Sequence, residues 1–307
     1  MMIKICRSIF KVRHHGSGPA GLRFAAFAVL TALLALMLPH ARGGTANLAQ
    51  LSRPGWTLVW SDEFEGHDNS APDPRKWTYD LGGSGWGNHE LETYTKRPQN
   101  VSIQNGNLVI TALQESYTGS DGIAKNFTSA RVKTQGLFAQ EYGRFETRIK
   151  IPYGQGVWPA FWLMGEDFAK DGWPVCGEID IMENIGKEPT VIHGSMHGPG
   201  YSGGDDLTAP FHLPSGRQFS DSFHIFAIEW EPNVVHFYVD NYLYASFTSA
   251  DVPDGKPWVF NHKSFIILNV AVGGDWPGPP DASTNFPQTM LVDYVRVYKL
   301  TSELKRK

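Results

Sequence analysis

The chain has 307 residues and a formal net charge of −4, from 27 Lys and Arg against 31 Asp and Glu. That length suits one large β-rich domain or two small ones. Residues 1–46 hold six of the cationic side chains and no acid, leaving 21 against 31, a net −10, for the rest. Such an acidic body lacks the electrostatic footprint of a nucleic-acid binder and suits a soluble protein acting on a neutral polymer.

Residues 1–46 read as a signal peptide and short linker. Lys4, Arg7, Lys11, Arg13 and Arg23 form a basic region, 24–38 is apolar except for Thr31, and small residues follow to Ala46. This is the charge, apolar-run and small-residue order of a secretory signal. The run is shorter than the roughly 18 apolar residues of a membrane span; an uncleaved anchor is the alternative. The expectation is a secreted protein, extracellular or periplasmic, with cleavage between Ala41 and Ala46 and no stable membrane association afterwards. Cys6 would leave with the signal, and Cys176 then has no partner for an intramolecular disulfide. An exported chain without disulfides must rely on a substantial core or a bound metal. Cys176 has no supporting His or Asn arrangement and reads as a packed or loop residue, not a nucleophile.

Residues 47–307 show no repeat, linker or composition shift and read as a single domain, with strand signals dominating. Runs rich in β-branched and aromatic residues lie at 108–115 (LVITALQE), 223–230 (FHIFAIEW), 234–240 (VVHFYVD), 243–247 (LYASF), 264–272 (SFIILNVAV) and 290–298 (MLVDYVRVY). Between 143 and 152, GRFETRIKIP alternates, with Phe145, Thr147, Ile149 and Ile151 on one face and Glu146, Arg148 and Lys150 on the other. That is the period of a half-buried antiparallel strand. Turn residues such as Pro232–Asn233 and Asp240–Asn241 separate the runs. The pattern predicts an all-β fold, a sandwich or barrel of antiparallel sheets.

The segment CGEIDIMEN places Glu178, Asp180 and Glu183 within six residues. On a regular strand Glu178 and Asp180 share a face, while Ile179 and Ile181 point into the core. Glu183 has the wrong parity and would be buried at heavy desolvation cost. One extra residue, a β-bulge near Met182, puts all three acids on one face. Glu178 and Glu183 are then about four strand steps apart, roughly 13 Å between backbones. Retaining glycosidases need carboxyl groups about 5–5.5 Å apart and inverting ones about 6.5–9.5 Å, so the spacing allows retention without requiring it. Repulsion among clustered acids also separates an ionised nucleophile from a protonated partner. The competing readings are a solvated strand face or a calcium loop. Trp158, Trp162 and Trp173 lie just upstream and Trp276 in GGDWPG; stacking on sugar rings suits exposed tryptophans, burial in the core is the alternative for each, and Pro and Gly neighbours favour loops for Trp173 and Trp276. His197 could reach an acid or a sugar hydroxyl.

The segment GEIDIME at 177–183 resembles the active-site strand of family 16 glycoside hydrolases, in the bulged form of laminarinases. WSDEF, WGNHELETYT, GRFETRIKIP, WPAFWLMG, FHIFAIEW and LNVAVGGDWPG through VDYVRVY match the same family in order, covering nearly all of 56–298. The resemblance implies a β-jelly-roll sandwich with a concave cleft, acting on β-1,3-glucan of the laminarin type, with mixed β-1,3/1,4-glucan a second candidate. It implies Glu178 as nucleophile, Glu183 as general acid/base and Asp180 as the helper between them. Asn88, Arg131, Trp158, Trp162, Trp173, His197 and Trp276 sit where similar enzymes contact glucan. No cofactor is implied for catalysis. A structural Ca2+ is implied on the convex side at Glu63, Gly106 and Asp293, the first two through backbone carbonyls, in a monomer. The alternatives are a glucan-binding or transglycosylating protein on the same scaffold, or a hydrolase of agar or carrageenan.

Overall fold

The computed structural model describes residues 53–304 except 215; the signal reading of 1–46 lies outside the described residues. In chain order the first strands are β1 (Trp56–Asp62), β2 (Thr78–Asp80), β3 (Glu92–Tyr94), β4 (Val101–Gln104), β5 (Asn107–Thr118) and β6 (Ala124–Ser129). Next come β7 (Arg131–Lys133), β8 (Gly143–Lys150), β9 (Val157–Gly165), β10 (Glu178–Glu183), β11 (Val191–His197) and β12 (Leu207–His212). The last are β13 (His224–Glu231), β14 (Val234–Val239), β15 (Tyr242–Thr248), β16 (Ser264–Val272) and β17 (Gln288–Leu300).

Among the described residues these strands form two sheets, antiparallel except where β3 runs beside β6. The larger follows the order β15-β14-β13-β8-β17-β5-β6-β3, with β1 also on β17 and β4 on β5. The smaller follows β12-β11-β10-β9-β16-β7-β2 and carries the acids of β10 at its centre. The expected all-β jelly-roll sandwich is therefore the observed one.

Alternation along the central strands builds a shared core. Phe161 and Leu163 of β9, Ile179 of β10 and Leu268 of β16 pack in one cluster with Phe145 of β8, Trp230 of β13 and Val295 of β17. The turn residues behave as their chemistry dictates. Asp240 and Asn241 both take left-handed conformations, φ 50° and 65°, closing the two-residue hairpin at the Val239–Tyr242 pair; side chains that tolerate positive φ favour such loops. Pro159 sits inside β9 without donating to the ladder; its carbonyl still accepts from the Asn184 N–H, just beyond β10, at 3.3 Å.

The expectation for 143–152 needs correction on its polar face. Phe145, Thr147 and Ile149 enter the core as read, but Glu146 and Arg144 are also buried, at 5% and 0% exposure. Arg144 donates to Glu146 Oε2 through Nε at 2.9 Å and Nη2 at 2.7 Å, and to Glu229 Oε1 at 3.1 Å. The Tyr294 hydroxyl caps the other Glu146 oxygen at 3.0 Å. Charges on an alternating strand look solvated in sequence; here distant partners permit their burial.

Candidate active site

Two glycines set where β10 begins. A Cβ on Gly165 would lie 2.0 Å from the Cys176 carbonyl, and Gly177 takes φ +69° immediately before Glu178. Close approach and a left-handed turn together deliver Glu178 to the first position of the strand. Cys176 itself is buried, and burial, with Asp167 and Glu178 nearby, pushes its thiol up to about 11. A thiol held that high is a poor nucleophile, which agrees with its reading as a packed residue.

The bulge lies where parity demanded it. Against β9, Asp180 pairs Trp162 and Met182 pairs Phe161; against β11, Asp180 pairs Ser195 and Glu183 pairs His193. One extra residue is thus accommodated, Ile181 and Met182 both enter the core at 1% and 0% exposure, and Glu183 returns to the face of Glu178 and Asp180.

His197, paired with Glu178 across β11, aims Nε2 into this face. It lies 3.0 Å from Asp180 Oδ2 and 4.0 Å from Glu178 Oε1. The Trp158 indole N–H donates to Glu183 Oε1 at 3.0 Å. Burial raises the pKa of all three acids. Glu178 is pushed up to about 8, mainly by burial and then by Asp180, while His197, Arg131 and the Trp173 indole pull it back. Burial and the neighbouring Asp206 hold Asp180 well above the carboxylate range; burial and Asp180 do the same for Glu183. The face therefore cannot carry its full negative charge. Of the two glutamates, Glu178 feels the Arg131 guanidinium, which favours its carboxylate. One ionised and one protonated glutamate on a shared face is the division that glycoside cleavage requires.

The other expected contacts divide into three groups. Trp173 is 46% exposed, and its ring lies 6.2 Å from that of His197. Trp276 packs edge-on against Trp158 at 5.4 Å and against His193 at 5.1 Å. Asn88 is exposed on the loop before β3. Trp162, by contrast, is only 8% exposed. It pairs with Asp180 across β9 and β10 and shares the acids' face, but it is covered: its indole N–H donates to Asn269 at 2.8 Å, and the Arg131 guanidinium lies over its ring at 4.6 Å. Arg131 is fixed from the other side by Asp80 at 2.9 Å and by the Trp86 ring at 5.1 Å.

Residues not singled out in the sequence complete this layer. Asn88 donates to Glu90 Oε1 at 3.2 Å, the Tyr94 hydroxyl donates to Glu90 Oε2 at 2.9 Å, and Asn269 donates to that hydroxyl at 3.2 Å. Through Trp162 the chain of hydrogen bonds ties Asn88 to the strand beside β10. Glu90, Glu92 and Tyr94 alternate in WGNHELETYT, and that was the available signal. Asn269 stands 175 residues from Tyr94, beyond any local pattern.

Fold and site together define a β-sandwich glycoside hydrolase. The family model for glycosyl hydrolases family 16 matches residues 88–296, and the chain belongs to that family, with a laminarinase-like site. The chain is 41% identical over 256 residues to a β-glucanase of Rhodothermus marinus, covering 80% of this chain and 86% of that one. Among solved structures, the endo-β-1,3-glucanase of Pyrococcus furiosus superposes with a TM-score of 0.77 at 47% identity, covering 80% and 95% of the two chains. The laminarinase catalytic domain of Thermotoga maritima does so at 0.75 and 47% identity, covering 80% and 98%.

Proposed function

We propose that this chain is a secreted endo-β-1,3-glucanase that cleaves laminarin-type glucan with retention of anomeric configuration, and accepts mixed β-1,3/1,4-glucan. The observation that carries the reading is the bulged β10, which sets Glu178 and Glu183, both raised by burial, on one face. A Glu178 oxygen attacks the anomeric carbon as Glu183 protonates the glycosidic oxygen, and the aglycone sugar departs. Glu183, now a carboxylate, takes a proton from water; the hydroxide oxygen attacks the anomeric carbon and Glu178 is released. Asp180, in contact with His197, spreads the charge between the two steps. Asn88, Trp173 and Trp276 are assigned to the glucan, with Trp158 holding Glu183 and Arg131 and Trp162 supporting the site. The acids present make simple glucan binding the weaker reading.

Incubation of the purified protein with laminarin and lichenan tests this. Oligosaccharides of several lengths should form early, and proton NMR should show the β anomer before mutarotation. An initial α product rules out retention; exclusive release of one small sugar rules out endo action.

We assign a structural Ca2+ to the end of β1, as a monomer's substitute for disulfides. On one side of β17, β5 stops pairing after Val292 and β1 begins at Val295, so Glu63 and Gly106 flank Asp293 in the gap between them. Backbone carbonyls in that gap lack ladder partners, and oxygen donors of this kind suit calcium. The Glu63 carboxylate is held by Arg296 at 3.0 and 2.8 Å, which agrees with a carbonyl role for Glu63. Arg148 engages Asp293 Oδ2 at 2.8 Å, so the ion would draw on the other oxygen. Chelation should lower the melting temperature by several degrees, and added Ca2+ should restore it. An identical melt with and without chelator counts against the site.

A further inference from the structure

Hydrolysis leaves one acid at the active site unused. Asp206, immediately before β12, directs Oδ2 to within 3.9 Å of His197 Nε2. Asp180 Oδ2 is buried, in a residue only 3% exposed, and has no hydrogen-bond partner in alignment. It touches His197 Nε2 at 3.0 Å without the geometry of a hydrogen bond. Glu178 Oε1 stands 4.0 Å from the same nitrogen, and the donor atoms of Glu178, Asp180 and His197 all fall within 4.8 Å of one another.

Strands β10 and β11 thus bring one imidazole nitrogen and two carboxylate oxygens together, and Asp206 approaches that nitrogen from the start of β12. Tetrahedral zinc, with bonds of about 2.0–2.2 Å, holds its ligands roughly 3.3 Å apart. The separations of 3.0, 3.9 and 4.0 Å around His197 Nε2 bracket that value. A mixed imidazole and carboxylate set, with few ligands, suits zinc-class ions, whereas Ca2+ and Mg2+ favour six or more oxygens or retained water. A divalent ion would also offset the mutual repulsion of the buried acids.

We propose that Glu178, Asp180, His197 and Asp206 form a binding site for a zinc-class divalent cation, and that the bound ion reversibly blocks hydrolysis by occupying Glu178. The blocking rests on Glu178 being the nucleophile; the binding does not. While the ion holds Glu178 Oε1, that oxygen cannot attack an anomeric carbon, and its removal restores the free acid without covalent change.

The test is calorimetric titration of the full chain, free of added histidine tags, with zinc chloride, alongside laminarin hydrolysis in the same buffer. One ion should bind per chain, with no comparable heat from magnesium. Hydrolysis should fall in step with occupancy and return on chelation. Asp206→Asn, nearly isosteric, and His197→Ala should each weaken binding at least about tenfold, the size that even outer-shell changes reach, with circular dichroism confirming the fold. No heat at millimolar zinc, or equal affinity in both variants, overturns the site. Full occupancy with undiminished hydrolysis overturns the blocking. Zinc binding as described in a chain that cleaves no glucan supports the site and counts against the hydrolase reading alone.

Discussion

Glu178→Gln should lower laminarin turnover by at least about 10⁴-fold, since losing a nucleophile removes the covalent route and not merely one of its contacts. The same substitution should stabilise the protein, but only at high pH. Glu178 is raised from 4.5 to about 8 in the folded chain, so the folded state binds its proton more tightly than the unfolded state does. Its contribution is fully present below about 4.5 and is lost as pH rises through about 8. Gln carries no charge and suffers no such loss. Wild type and variant should melt together near pH 5, whereas near pH 9 the variant should gain roughly 2–4 kcal/mol, or about 5–10 °C. Turnover and two melting curves check both halves. Near-normal turnover would sink the nucleophile assignment, and a melting difference independent of pH would sink the account of the buried charge.

Glu183→Gln should fail differently. It removes proton transfer, a contribution of about 10²–10⁴-fold, but leaves the nucleophile in place. The loss should be large for laminarin, whose departing sugar needs a proton. It should be small in the first step for an aryl glucoside whose leaving group needs none. Azide, which attacks without a general base, should restore turnover of that aryl substrate and yield a β-glycosyl azide. The Trp158 indole N–H can still donate to the amide oxygen, so the geometry at 3.0 Å should survive. An equal loss on both substrates, with no response to azide, would reassign Glu183 to a supporting role.

The proposed calcium and zinc sites make opposite demands on the same reagent. Chelation should weaken the fold through the gap beside β17 and, in a zinc-loaded sample, release the block at β10. The two effects separate by readout, one thermal and one catalytic.

Much of this was visible before the chain was folded in space. The β-branched and aromatic runs FHIFAIEW and SFIILNVAV placed β13 and β16 because buried strands impose their composition locally. The awkward parity of Asp180 and Glu183 required the bulge, since a charged side chain will not enter the core unpaired. The Asp240–Asn241 hairpin was legible for the same local reason. That Trp162 is covered was not legible, because a tryptophan's exposure depends on Arg131 and Asn269, which arrive from other strands. Glu146 looked solvated until Arg144, Glu229 and Tyr294 enclosed it. Asp206 carried no mark at all in GGDDLT; only the pairing of β11 with β12 brings it to His197.

By itself, then, the sequence determined the all-β class, the central acid-bearing strand with its bulge, and through matching motifs the family. Each depends on interactions within a strand or a turn, whose physics acts over a few residues. Tertiary structure alone decided that burial raises all three acids, which tryptophans lie open, and which buried charges find partners. Those outcomes depend on desolvation and on Coulomb interactions that fall off within a few ångströms, between side chains as distant in sequence as Glu63 and Arg296, 233 positions apart. The three acids of β10 were readable as a group, but their separate roles come from what the fold places around each one.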